Sequence, residues 1–330
     1  YNTSQGQDVH FSEKLIEMGR NFANKIWNVS RFVLMNLEGF DIKTVDKSQL
    51  KLELVDKWIF SKLNRTAKDV AEKLDKFQLD EAAKSVYEFL RGDFCDWYVE
   101  LAKVRLYNND PEGEVSKKTA QYVLWTILES GMRLLHPFMP FITEEIWQII
   151  KADGETIMLT SYPVADEEKI DVQVEKSFEY IQGLISSLRN IKAERGISPA
   201  KEVKVVIRTK NPMELKTLED NYIFITKLAK IEELTYGPDV VAPEQSGFRV
   251  NGDSEVYMIL TGLLDVEAEV KKIKEQLEKV EKDLEKANAK LTDERFISKA
   301  PEHILERERK IQKEYQDKYD KLIENLKNFQ

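Results

Sequence analysis

A mainly α protein in three parts is what this sequence predicts. Residues 1–165 read as an antiparallel helical bundle, 166–263 as a small α/β junction unit, and 264–330 as an antiparallel coiled-coil hairpin. Three observations carry that expectation. Apolar residues recur at steps of three and four through most of the first half, the period of a helix with one buried face. A single region alternates apolar and polar residues, around Val203–Ile207, and it is followed by the hairpin dipeptide Asn251-Gly252. The C-terminal stretch holds a regular heptad seam.

The first helix spans Ser12 to Leu37. At 100° per residue, Leu15, Met18, Phe22, Ile26, Val29, Val33 and Leu37 fall in one arc, the expected core stripe. Lys14, Asn21, Lys25, Asn28 and Phe32 form a second, narrow stripe at steps of 7, 4, 3 and 4, flanked by Arg20, Asn24 and Arg31. From Met18 to Leu37 there is no acidic residue, although the chain carries a net charge of −9. Cations and amides ending in an aromatic ring suit nucleic acid: Lys and Arg meet phosphate or base edges, and the ring offers a face for an unpaired base. The plain alternative is a solvated helix face with Phe32 against a neighbouring helix.

The remaining elements follow in order. Lys47–Phe77 carries Leu52, Val55, Ile59 and Leu63 at helical spacing. Leu79–Tyr107 carries Val86, Leu90, Phe94, Trp97 and Leu101, with Asp80 as its cap. Val115–His136 follows the Asn108–Gly113 turn and ends before Pro137 and Pro140. Thr143 suits the N-cap of Glu144–Ile150. In the junction unit, Val174–Arg195 is a helix ending at Gly196, Val203–Ile207 a strand, Met213–Lys230 a helix, and Ile231–Tyr236 a strand. Gly247–Val250 and Ser254–Leu260 pair about Asn251-Gly252, where both central residues are expected to take positive φ. Val266, Val270, Ile273, Leu277, Val280, Leu284, Ala287 and Leu291 then step 4, 3, 4, 3, 4, 3, 4. After Thr292–His303 a second seam runs Ile304, Ile311, Tyr315, Tyr319, Leu322, Leu326 and Phe329, so the two helices pair as a hairpin.

Composition excludes more than it assigns. His10, His136 and His303 lie far apart, none in a metal-ligand spacing, and the single Cys95 forms neither an internal disulfide nor a multi-cysteine zinc site. Metal and catalytic residues are therefore expected to be absent. Glu144 and Glu145 point about 100° apart on a helix and suit its positive first turn rather than paired acid–base work. All five tryptophans, Trp97 among them, sit on apolar helix patterns and read as core. No apolar run approaches the ~20 residues of a membrane span, and no secretory leader is evident, which together with one cysteine points to the cytoplasm. The acidic net charge argues mildly against a polyanion partner. Residues 264–330, however, hold 16 Lys and Arg against 17 Asp and Glu, so the excess lies upstream and binding would rest on local patches.

Four stretches carry a family resemblance. GQDVHFSEKLIEMGRNFANKIWNVSRFVLMNLEGF resembles the start of the anticodon-binding domain of the valyl-tRNA synthetase family. RGDFCDWYVELAK (Arg91–Lys103) resembles that family's Phe-Cys-Asp-Trp-Tyr segment, and LLHPFMPFITEEIWQ (Leu134–Gln148) a helix-break-helix signature shared by the aliphatic-residue class I synthetases. Leu264 to Phe329 resembles the valyl enzymes' C-terminal arm. The resemblance implies tRNA(Val) as partner, with no DNA or membrane role, in a monomer. It implies that Lys25, Arg31 and Phe32 reach the anticodon, Phe32 as the stacking ring; Asn21, Asn28 and Lys14 join them from the helical stripe. It also implies an arm along the outer corner of the tRNA, with Arg295, Lys299, Arg307, Arg309 and Lys313 as candidate elbow contacts. Neither class I catalytic signature, His-x-Gly-His or Lys-Met-Ser-Lys-Ser, occurs here. The resemblance thus implies a piece without catalytic residues or cofactors, ATP and magnesium belonging to a catalytic domain elsewhere. Two alternatives remain open: the C-terminal region of an isoleucyl-tRNA synthetase, and a coiled-coil protein-interaction scaffold with no RNA role.

Overall fold

The computed structural model describes residues 12–108, 110, 113–150, 154–261 and 266–292, with residues 305–310 and positions 312, 313, 315, 316, 319 and 323. Two compact units result, residues 1–259 and 260–330. The first opens with α1 (Glu13–Asn36), α2 (Leu54–Asp75) and α3 (Leu79–Glu88). A π-helical segment (Phe89–Tyr98) continues α3 directly into α4 (Val99–Leu106). Then come α5 (Glu114–Leu135), α6 (Pro140–Ile150) and α7 (Val172–Glu194).

The π segment departs from the plain helix expected over Leu79–Tyr107. Val86, Leu90, Phe94, Tyr98 and Ala102 form one buried row with members four apart, and Phe89, Cys95, Val99 and Leu101 are buried beside it. On a 3.6-residue helix each such step overshoots by about 40°, and a π turn absorbs the accumulated drift. Trp97 is consequently only half-buried, edge-on to Phe178 at 6.1 Å and beneath the Arg189 guanidinium at 5.5 Å. The tryptophans that fill the core are Trp58 and Trp147; Trp27 and Trp125 are half-buried.

Other boundaries move for identifiable reasons. α2 begins at Leu54, not Lys47, because the Asp56 carboxylate takes the Glu53 amide at 2.9 Å and fixes the start there. Leu52 stays outside the core. The N-cap of α3 is Gln78, and Asp80 lies in its first turn. α6 starts at Pro140, a residue that fits the first helical turn, where no amide is needed. Thr143 is therefore inside the helix, its hydroxyl donating to the Met139 carbonyl at 2.8 Å and meeting His136 Nδ1 at 2.7 Å. Glu144 reaches out of the helix to the Thr156 hydroxyl at 2.7 Å and the Ile157 amide at 3.2 Å; contacts with Gln148 and Thr156 hold its carboxyl below the usual range.

The strands β1 (Val203–Arg208), β2 (Ile231–Gly237), β3 (Ser246–Asn251) and β4 (Ser254–Ile259) form one sheet in the order β2-β1-β4-β3. β1 and β2 are parallel, joined by α8 (Pro212–Asp220) and α9 (Tyr222–Ala229); the other pairs are antiparallel. The single helix expected over 213–230 breaks at Asn221, whose buried side-chain amide donates to the Thr217 carbonyl at 2.9 Å. In the hairpin, Asn251 pairs with Ser254, so the two-residue loop is Gly252-Asp253 and only Gly252 has positive φ, +60°. That pattern suits a turn with glycine at its first central position. The hairpin lies close on α7: a Cβ at Gly183 would come within 1.9 Å of Asn251 Oδ1.

α7 joins the bundle to the sheet. Phe178 stacks on Trp58 of α2 at 3.9 Å, while Lys192, buried, donates to the carbonyls of Lys201 at 2.7 Å and Ala229 at 3.0 Å. In the second unit, α10 (Val266–Thr292) buries Leu277, Val280 and Ala287, three positions of the expected seam. Residues 305–310 are helical, Leu305 is buried, and Gln312 Nε2 donates to Asn288 Oδ1 at 2.6 Å. Ile304, Ile311, Leu322, Leu326 and Phe329 of the second seam lie outside the described residues.

One polar cluster ties the bundle together. Arg105 Nη1 donates to both Asp56 carboxylate oxygens, at 2.7 and 2.8 Å, and the Tyr98 hydroxyl donates to Asp56 Oδ1 at 2.6 Å. Arg105 also binds the Ser116 hydroxyl and carbonyl at 2.8 Å each. Burial, reinforced by the Asp56 charge, drives the Tyr98 phenol well above its ordinary range. Asp56→Ala would leave the buried Arg105 guanidinium only the longer contact with Glu53, 3.4 Å, as an ion pair and should cost about 3–5 kcal/mol in urea unfolding. The double substitution Asp56→Leu with Arg105→Met should cost much less. Equal losses in the two variants would refute the pairing account.

Candidate nucleic-acid interface

Three anchors position α1. Ile26 and Val33 are fully buried, Phe22 meets the Tyr87 ring of α3 at 4.7 Å, and Gln121 of α5 donates to the Asn36 carbonyl at 2.7 Å. With that face fixed, the opposite stripe turns towards the π segment and α4. Asn21, Asn24, Lys25, Asn28, Val29 and Phe32 form one wall of a cleft of about 480 Å³. Cys95, Val99, Glu100 and Lys103 form the other.

Four of the six anticodon candidates, Lys25, Phe32, Asn28 and Asn21, thus meet in one cleft. Arg31 is exposed beside it and Lys14 is exposed further towards the start of α1; neither lines it. Leu15, expected in the core stripe, is exposed, and Met18 and Val29 are half-buried. Among the elbow candidates, Arg307, Arg309 and Lys313 are exposed, and Arg295 and Lys299 lie outside the described residues, as do His10 and His303.

The cleft is charge-balanced, which the acid-free helix does not announce. Lys25 forms an ion pair with Asp96, carried by the facing helix. Lys103 donates to Glu100 Oε1 at 2.6 Å, and its ammonium sits 5.3 Å from the centre of the Phe32 ring. Such a partly exposed ion pair contributes about 0–1 kcal/mol, and a cation over a phenyl face about 0.5–1 kcal/mol, so both can be exchanged for a ligand. Asp96, Glu100 and Lys103 are spaced 4 and 3 apart on one helix face, a signal legible in Arg91–Lys103 but not singled out there. Cys95 lines the base of the cleft as an inert thiol, burial pushing it up to about 12 despite the nearby Lys25.

Among the described residues no three His, Cys, Asp or Glu side chains cluster as metal ligands, and no helix is long and apolar enough to cross a membrane.

Residues 56–207 match the model of the anticodon-binding domain of tRNA ligase, and residues 265–330 that of the valyl tRNA synthetase tRNA binding arm. The first match runs from α2 through the π segment into β1, so it contains the Glu100–Lys103 wall and not α1. Over its whole length the chain is 70% identical to a valine–tRNA ligase of Fusobacterium nucleatum, of which it spans 37%. It is 38% identical over 325 residues to that of Geobacter sulfurreducens and 39% over 324 residues to that of Listeria monocytogenes, covering 98% of this chain and 36% of each relative. The chain therefore spans little more than a third of the length of these relatives.

If Lys25 serves the cleft rather than the core, Lys25→Ala should leave the melting temperature within about 2 °C, since it removes only a surface ion pair. A loss as large as that of Trp58→Ala, about 3–5 kcal/mol, would make Lys25 a packing residue.

Proposed function

Because this chain belongs to the valine–tRNA ligase family, carrying its anticodon-binding and arm regions, we propose that it recognises tRNA(Val) at two places. The cleft between α1 and the Cys95–Lys103 helix reads the anticodon, and the C-terminal arm, an antiparallel coiled coil, grips the elbow. The observation that carries this reading is the convergence of Phe32, Lys25 and Asn28 on one open cleft. Phe32 supplies a stacking face, while Lys25 and the amides supply hydrogen bonds to phosphate and base edges. The arm match at 265–330 favours the valyl over the isoleucyl alternative. Arg307, Arg309 and Lys313 are exposed and serve as elbow contacts, with Arg295 and Lys299 beside them in the sequence.

Joining valine to tRNA with ATP and magnesium belongs, in this proposal, to a part of the enzyme that this chain does not span. Within this proposal the chain's own contribution is binding and orientation. The setting is the cytoplasm and the acting species a monomer.

Phe32→Ala should weaken binding of a valine anticodon stem-loop by about 1–3 kcal/mol, the range for one stacked base, with Phe32→Tyr nearly neutral. Unchanged affinity in Phe32→Ala, by fluorescence anisotropy, would overturn the stacking role. Deleting residues 265–330 should weaken binding to tRNAs of every anticodon alike. It should also flatten the fall of log affinity with log salt, because fewer counterions are released. A truncated protein with the same affinity and salt slope would assign the arm to a protein partner instead.

A further inference from the structure

Glu100 is out of place in a cleft built for a polyanion. Its carboxylate stands on the wall facing Phe32, bound through Oε1 to the same Lys103 ammonium that covers the ring. A carboxylate there repels phosphate, so its presence lowers affinity for RNA of any sequence. It can raise selectivity, because a group that accepts hydrogen bonds and never donates them discriminates between base edges.

The chemistry of the bases indicates which. Cytosine and adenine each present an exocyclic amine beside an unprotonated ring nitrogen. Uracil and guanine present a carbonyl oxygen beside a ring N–H, the reverse order. A base stacking on Phe32 displaces the Lys103 ammonium from the ring face and leaves it tethered to Glu100, one turn away along the same helix. The 2.6 Å bond between Lys103 and Glu100 then keeps a donor and an acceptor side by side at the edge of the stacked base. An amine donates to Glu100, as cytosine amines do to acidic side chains elsewhere, while Lys103 donates to the adjacent ring nitrogen. A keto base in the same pose sets oxygen against carboxylate and N–H against ammonium.

We propose that Glu100 is a specificity-determining residue of the cleft, selecting an amino-bearing base stacked on Phe32, and that Lys103 positions it. The inference rests on the anticodon reading above. It agrees with valine anticodons, whose second and third positions are A and C.

The test measures binding of anticodon stem-loops to the 330-residue chain, using the matched loop and loops with U replacing the C or G replacing the A. Glu100→Gln preserves shape, and its amide can donate or accept. It should shrink the discrimination against one of the two keto replacements by tenfold or more, with a melting curve matching the parent's. Lys103→Ala should reduce the same discrimination, by freeing Glu100 from its tether. If Glu100→Gln keeps both ratios while Phe32→Ala abolishes binding, the inference fails and the anticodon reading stands. If Glu100→Gln tightens all loops equally, Glu100 is only a repulsive charge and the inference again fails. Indifference of stem-loop binding to Phe32→Ala would remove both.

Discussion

The buried Asp56–Arg105–Tyr98 cluster is the constraint on which the rest of the first unit depends. Its members come from α2, α4 and the π segment, and Arg105 extends it to Ser116 of α5. A carboxylate and a guanidinium withdrawn from water are tolerable only when their hydrogen bonds are met in a particular geometry. That geometry fixes the rotation of the helix running from Phe89 to Leu106, and so decides which of its side chains face α1. A helix slipped by one residue would turn Glu100 and Lys103 by about 100° away from Phe32. The π segment serves the same end: it lets residues four apart stay buried through Ala102 while the cleft wall keeps its orientation.

Under the proposed function, the cleft reconciles an acidic chain with an anionic partner. Its two lysines are held by Asp96 and Glu100, so no bare positive field develops in the free protein. The Lys25–Asp96 pair is partly solvated and weak, and a phosphate or base edge can replace its carboxylate at modest cost. In that proposal, affinity given up in this way is returned as selectivity, because strong nonspecific attraction would favour every RNA equally. The arm follows the same pattern, with basic and acidic residues almost equal in number over 264–330.

α7 explains why the bundle and the sheet form one compact unit, although their sequence patterns differ. Its outer turns carry Phe178 onto Trp58, and its later turns carry Lys192 to the loop before β1 and the end of α9. The anticodon-domain match, ending at residue 207 inside β1, runs across the same helix. Sequence periodicity separates helical from alternating stretches, but it carries no information on which neighbour a shared helix prefers.

The sequence by itself determined the helical class, the strands and their hairpin, the buried face of α1 from Phe22 to Val33, and the opposite stripe through Lys25, Asn28 and Phe32. Those features are periodic, and periodicity is local. The family was likewise legible, through Phe-Cys-Asp-Trp-Tyr and the arm. Tertiary structure decided the rest. Trp97 left the core because a π segment changed the helical phase, and Thr143 lost its capping role because Pro140 starts its helix earlier. Asp96, Glu100 and Lys103 joined the site from 60 or more residues away, since ion pairs and ring contacts depend on distance in space, which spacing along one helix does not encode.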